Sequence, residues 1–260
     1  TMYKECIKYL ESNPSHGYDL SSVRIALSGA ALLKAEDKIK LLQLFPHTII
    51  IDAFGQTEMS AISSMKIDMV EETVEQGSVG RLGIGIEVKI VDEEGKELND
   101  EEIGEILYRG DTIMKGYYGD EEKTGRTIDE DGWLHSGDLG FKKDGELYTV
   151  DRKGECINTG GEKVFPIEVE EIIYDHPVVE KVCVIGVPDE KWGSAVRAVV
   201  ICKKGKDLNE KELIDWCGDK MAGYKKPKSV IFADEFPISP VGKLQRGKIR
   251  ERFGVKKVND

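Results

Sequence analysis

The sequence predicts an α/β layer, then a small antiparallel β part, then a compact α+β module. Three observations predict it. Residues 1–76 alternate helical and strand-like runs, the order of a parallel α/β layer. Residues 77–151 hold short alternating strands parted by Gly, Asp and Asn, a texture that suits a small barrel or sandwich. Residues 152–260 read as helix, strand, strand, helix, strand, a span within the usual range of one domain.

The elements follow in order. TMYKECIKYLESNP reads as an amphipathic helix with Tyr3, Ile7 and Leu10 on one side. Val23 to Gly29 is a short apolar strand ending in Ser-Gly. Ala31 to Phe45 has helical periodicity, Pro46 stops it, and HTIIIDAFG is the next strand. EVKIVDEEG, GEILYRG and GELYTVD are strands with DEEG and KKDG as turns. Phe165-Pro166 opens a helix with Pro in its first turn. VCVIGVPD, RAVVICKKG and SVIFAD are strands. LNEKELIDWCGDKMAG is a helix starting near Asn209, with acids in its first turn. The Gly-bearing stretch Asp151 to Gly161 is the expected domain junction.

Composition narrows the classes of function. The formal net charge of -12 argues against nonspecific nucleic-acid binding and against an anionic membrane surface. The basic stretches Tyr224 to Lys228 and Lys243 to Lys257 read as solvated faces. No apolar run approaches the roughly 20 residues of a membrane span. The cysteines, Cys6, Cys156, Cys183, Cys202 and Cys217, are odd in number and lack CxxC spacing. A disulfide framework or zinc site is therefore not expected, and a reducing, cytoplasmic setting is.

Several short motifs carry chemistry. Phe54-Gly55-Gln56-Thr57-Glu58 closes a strand, and the end of a parallel strand is where open α/β sheets place ligands. Thr57 can donate to a phosphate oxygen, Glu58 can hold Mg²⁺, and Phe54 offers a flat face to a base. The plainer reading is a turn with Thr-Glu opening a helix. In GWLHSGD, Asp138 can accept from ribose hydroxyls, and the plainer reading is an Asp in a tight turn. His135 is expected to be structural. DRKG (Asp151 to Gly154) and NTGGEK (Asn158 to Lys163) suit a hinge and a narrow passage, or one twisted hairpin. Lys243 follows Gly242 on a Pro-rich loop that lacks the upstream glycine of a P-loop.

In order, FGQTE, GEILYRGDTIMKGYYGD, GWLHSGDLG, DRKGECINTGGEKVFPIEVE and PISPVGKLQR resemble the motifs of the adenylate-forming (AMP-binding) superfamily. That family includes acyl-CoA synthetases, adenylation domains of peptide synthetases and firefly luciferase. The resemblance covers essentially the whole chain, and SGAAL at Ser28 to Leu32 is similar to the family's adenine-side loop. It implies that residues 1–151 are the end of the large AMP-binding domain, with residues 1–76 in its α/β part and 77–151 in its β-barrel. Residues 152–260 are then the α+β lid domain.

The resemblance also implies roles and ligands. Gly29, Ala30 and Ala31 line the adenine and acyl-adenylate pocket, and Asp52 faces the adenine amino group. Phe54 stacks on adenine, where the family usually has Tyr. Gly55 and Gln56 complete that side, near the acyl group with Met59 and Ala61. Thr57 contacts phosphate, Glu58 associates with Mg²⁺, and Asp138 and Arg152 reach the ribose. Lys243 bridges the carboxylate and the α-phosphate during adenylation, and Gly160-Gly161 line the pantetheine tunnel. The expected activity is an AMP-forming acyl-CoA synthetase, using ATP, Mg²⁺, CoA and a carboxylic acid. Loading of a carrier-protein thiol, or a non-catalytic nucleotide-binding relative, are the alternatives.

Two departures matter. The family's hinge position, usually Asp or Lys, is Gly154 here. The family's Ser/Thr/Gly-rich phosphate loop has no counterpart before Ser28. The expectation is therefore a C-terminal fragment that needs an N-terminal part of the same enzyme and turns over negligibly alone.

Overall fold

The structure is a computed structural model and describes residues 2–29, 33, 35–45, 47–69, 74, 78–239 and 244–254. It divides into two compact units, Thr1–Val150 and Asp151–Asp260.

The first unit opens with α1 (Met2–Ser12), β1 (Ile25–Gly29), α2 (Ala35–Leu44) and β2 (Ile49–Gln56). β1 and β2 run parallel, with Ser28 opposite Asp52 and Gly29 opposite Ala53. Ile7 of α1 and Leu41 of α2 bury with Ala26 and Ile50 in one core, as the helical and strand periodicities require. The chain then reverses. β3 (Ser60–Asp68) pairs antiparallel with β2, with a register shift between Phe54 and Gln56. This corrects the plainer reading of the FGQTE segment: Thr57, Glu58 and Met59 form a turn between two strands and do not start a helix.

β4 (Ser78–Leu82), β5 (Ile86–Val91), β6 (Gly104–Gly110), β7 (Leu134–Lys143) and β8 (Glu146–Arg152) supply the expected antiparallel part. The sheet order is β1-β2-β3-β4-β8-β7-β6-β5. The antiparallel strands thus continue the α/β layer through β3 and β4 in one mixed sheet. A short helix, α3 (Glu121–Thr127), is capped by the Asp120 carboxylate, which accepts from the Lys123 amide. Met59, Val79, Ile86, Ile90, Ile106, Tyr108, Leu134 and Leu147 form the core here, with Phe54 packed against it.

The second unit begins with a hairpin of β9 (Ile157–Thr159) and β10 (Glu162–Val164). α4 (Pro166–Tyr174), β11 (Val179–Asp189), β12 (Gly193–Cys202), α5 (Glu210–Trp216), β13 (Ser229–Phe232) and α6 (Arg246–Phe253) follow. β11 pairs antiparallel with β12, and β13 joins β12 in parallel. The strands are covered on both faces. Val184, Val196, Ala198 and Val200 pack with Val169 and Ile173 of α4 and Leu213 of α5. Cys183, Ile185, Ala195 and Val199 pack with Phe236 and with Ile249 of α6. Burial on both faces explains the unbroken apolar runs in this part of the sequence. All five cysteines are free.

Candidate functional site

Strand ends in the first unit gather the candidate nucleotide side. Gly29 is the last residue of β1, beside Ala53. Ala30 and Ala31 lie outside the described residues. Asp52 meets a buried lysine that sequence reasoning did not single out. Lys38 Nζ lies 2.9 Å from Asp52 Oδ2 and 3.3 Å from Asp68 Oδ2. Burial pushes the Asp68 carboxyl above its usual range, and Lys38 opposes that shift. A lysine inside a helical stretch of mixed charge gives no signal of burial, because the two acids arrive from β2 and β3.

Past the register shift, the chain turns at Thr57-Glu58-Met59. Thr57 is exposed and Met59 is fully buried. Glu58 is fixed from two directions by one loop: its carbonyl accepts from the Met114 amide at 2.8 Å. Its Oε1 accepts from the Tyr117 hydroxyl at 2.9 Å. Gln56 Nε2 is buried with no hydrogen-bond partner among the described residues.

Asp138 is not in a tight turn, which corrects the plainer expectation. It lies within β7, nearly buried, and its amide donates to Ser136 Oγ at 3.0 Å. Ser136 Oγ donates in turn to the Ile106 carbonyl at 2.6 Å, tying β7 to β6. The fully buried Tyr108 lies close enough for the Asp138 charge to add to burial in raising its phenol pKa. His135, expected to be structural, has Nδ1 3.6 Å from Glu105 Oε2 and Nε2 3.7 Å from Asp129 Oδ2.

The second unit carries the remaining candidates. Arg152 ends β8, is exposed, and its carbonyl accepts from Glu155 at 2.9 Å in a turn that contains Lys153 and Gly154. Gly160 and Gly161 form the two-residue turn of the β9–β10 hairpin, with φ of 61° and 91°. Positive φ at both positions is the favoured geometry for such a turn. The Gly160 amide donates to the Trp192 carbonyl at 2.9 Å. A Cβ on Gly160 would stand 2.6 Å from Trp192 Cε3. Gly160→Ala should therefore destabilise the second unit by about 2 kcal/mol, from αL strain and the clash. Adding Trp192→Ala should recover the steric part in a double-mutant melt.

Lys243 lies outside the described residues. Its neighbours are well tied. Ile238 bridges Leu244, and the Gln245 amide donates to the Pro237 carbonyl at 3.0 Å. Arg246 forks onto Glu170 of α4 and donates to the Val184 carbonyl at 2.7 Å. Glu155 lies 2.6 Å from Arg250 Nη2 and 3.6 Å from Arg246 Nε.

The family model described as AMP-binding enzyme matches residues 1–118, and its C-terminal domain model matches residues 168–243. A 4-coumarate–CoA ligase 1 of Glycine max is 38% identical over 243 residues, covering 92% of this chain and 83% of the relative. The chain belongs to the AMP-binding enzyme family. A 4-coumarate–CoA ligase 2 of Solanum tuberosum is 39% identical over 92% of this chain. The chain spans 44% of that ligase and 48% of a feruloyl-CoA synthase of Amycolatopsis, about half the length of each. Among solved AMP-binding enzymes, o-succinylbenzoate CoA synthetase of Bacillus subtilis, with its acyl-adenylate intermediate, is 28% identical. It superposes with a TM-score of 0.82 over 95% of this chain and 49% of its own. An anthranilate CoA ligase with anthranoyl-AMP is 33% identical, with a TM-score of 0.78 over 90% of this chain and 45% of its own.

Among the described residues, no cluster of three or more His, Cys, Asp and Glu side chains can hold a metal. No helix of the described residues is long and apolar enough to cross a membrane.

Proposed function

We propose that this AMP-binding enzyme chain carries half of the site of an acyl-CoA synthetase, working with a preceding half of the kind its relatives carry. The observation that carries the reading is the turn at Thr57-Glu58, set at the end of β2, the strand whose Ala53 pairs with the β1 terminus Gly29, in a family whose solved members hold acyl-adenylates.

The reaction has two steps. A carboxylate oxygen attacks the α-phosphorus of ATP, giving acyl-AMP and releasing pyrophosphate. The CoA thiol then attacks the acyl carbon and expels AMP. Both steps ask for charge neutralisation more than covalent catalysis. Gly29, Ala30, Ala31, Asp52, Phe54, Gly55 and Gln56 receive the adenine side. Thr57 donates to phosphate, and Asp138 and Arg152 take the ribose hydroxyls. Lys243 brings a compact positive charge to the α-phosphate. Gly160-Gly161 line the path of the thiol, and Lys153-Gly154 form the hinge between half-reactions.

Mg²⁺ fits the one carboxylate that the turn presents, since Mg²⁺ commonly uses one or two carboxylates plus substrate phosphates. Glu58 would hold it, and the ion would neutralise the departing pyrophosphate. The acceptor is testable directly. Acyl-AMP supplied to the enzyme with its N-terminal half should be consumed by free CoA. Consumption only with a carrier-protein thiol would overturn that assignment.

A further inference from the structure

We propose that Tyr117 is a positioning residue for the metal–nucleotide complex, because it pins one oxygen of Glu58 and leaves the other to the cation. The inference rests on the reading of Glu58 as the metal-associated acid.

The geometry is specific. The Tyr117 hydroxyl donates to Glu58 Oε1 at 2.9 Å, across 59 positions of sequence. Glu58 Oε2 takes no hydrogen bond among the described residues. A carboxylate on the three-residue turn Thr57-Glu58-Met59 can rotate about its side-chain bonds, and a hydrogen bond to one oxygen removes most of that freedom. The same loop also binds the Glu58 backbone through Met114, so backbone and side chain are set together.

Tyr117 is itself held. Its amide donates to Thr124 Oγ1 at 2.9 Å, and that hydroxyl donates to the Asp120 carbonyl at 2.8 Å. Lys123 Nζ stands 3.8 Å from its ring centroid, a cation–π contact that fixes the ring plane. The chain thus runs from the α3 N-cap through Tyr117 to Glu58, and outer-sphere partners of this kind set metal affinity by about 10–100-fold.

Tyr117→Phe removes only the hydroxyl, keeping the ring, the Lys123 contact and the amide bond to Thr124. The test uses the enzyme with its N-terminal half and Mn²⁺ as the probe. Electron paramagnetic resonance measures Mn²⁺–ATP binding, and calorimetry measures ATP binding in EDTA. Tyr117→Phe should weaken Mn²⁺–ATP binding about tenfold or more and leave metal-free ATP binding within about twofold. Glu58→Gln sets the scale in parallel. If Glu58→Gln weakens Mn²⁺–ATP and Tyr117→Phe does not, the positioning role is wrong while the Glu58 reading stands. If neither variant alters Mn²⁺–ATP, the Glu58 reading itself fails, and the inference with it. Equal weakening of metal-free ATP by Tyr117→Phe, with a lowered melting temperature, assigns Tyr117 a structural role and also overturns the proposal.

Discussion

In the enzyme with its N-terminal half, Lys243→Ala should lower carboxylate-dependent ATP–pyrophosphate exchange roughly 10²–10³-fold, the usual loss when one charge-stabilising group is removed from a transition state. Thioester formation from supplied acyl-AMP should stay within about threefold of normal, because the α-phosphate has already been attacked. The asymmetry is the informative part. A lysine that only supported the fold would lower both half-reactions together, and equal losses would sink the assigned role. The described residues on either side of Lys243 are tied to each other: Ile238 bridges Leu244, and the Gln245 amide donates to the Pro237 carbonyl. A misplacement of about 1 Å at such a group can cost about 10²-fold in rate.

Arg246→Met should be the most damaging single change to stability in the second unit, by about 3–5 kcal/mol. Its guanidinium and the Glu170 carboxylate are both largely buried, and their bonds join α6 to α4 and β11. Removing Arg246 leaves the Glu170 charge buried with one remaining strong donor, the Val184 amide at 2.7 Å. Replacing both partners by apolar residues should cost much less than the single change, since no uncompensated charge remains. Urea melts of Arg246→Met and of Arg246→Met/Glu170→Leu measure this. The transition of the second unit must be followed by itself, because two units need not unfold as one. A double variant no more stable than the single would show that the pair's charge is not the source of the loss.

Local signals carried the sequence reading where they were complete within a few residues. Asn209 starts a helix, as its sequence context predicts, and forms a capping box with Glu212. Phe165-Pro166 opens α4, and the apolar runs near Val184 and Val196 are strands buried on both faces. The order of motifs marked the family, because it is a property of the sequence alone. What was not legible depends on partners far apart in the chain. β3 carries SAISSMKID, whose second half alternates with the polar Ser64 and Asp68 buried and Met65 and Ile67 exposed, the reverse of a half-buried strand's usual pattern, and it is a strand because β2 and β4 flank it. Asp138 follows the turn-forming pair Ser136-Gly137 in sequence, yet it lies within β7, where its amide donates to Ser136 Oγ. Lys38 and Tyr117 matter through Asp52, Asp68 and Glu58, none of them near in sequence. Tyr117 stood inside a recognised motif, so the signal that could have found it was the motif itself. α6 has few apolar positions, and it is held by Ile249 in the core and by Arg246 and Arg250 on the acids of other elements.

The proposed activity is that of an enzyme, served by this chain, that activates a carboxylate as its adenylate. Its most direct test is exchange of labelled pyrophosphate into ATP by the enzyme with its N-terminal half, with the carboxylic acid present and CoA left out. Acid-dependent exchange that is unaffected by the missing thiol, and release of AMP once CoA is added, are the expected results. Absence of exchange with every acid tried, or cleavage of ATP to ADP and phosphate, would contradict it.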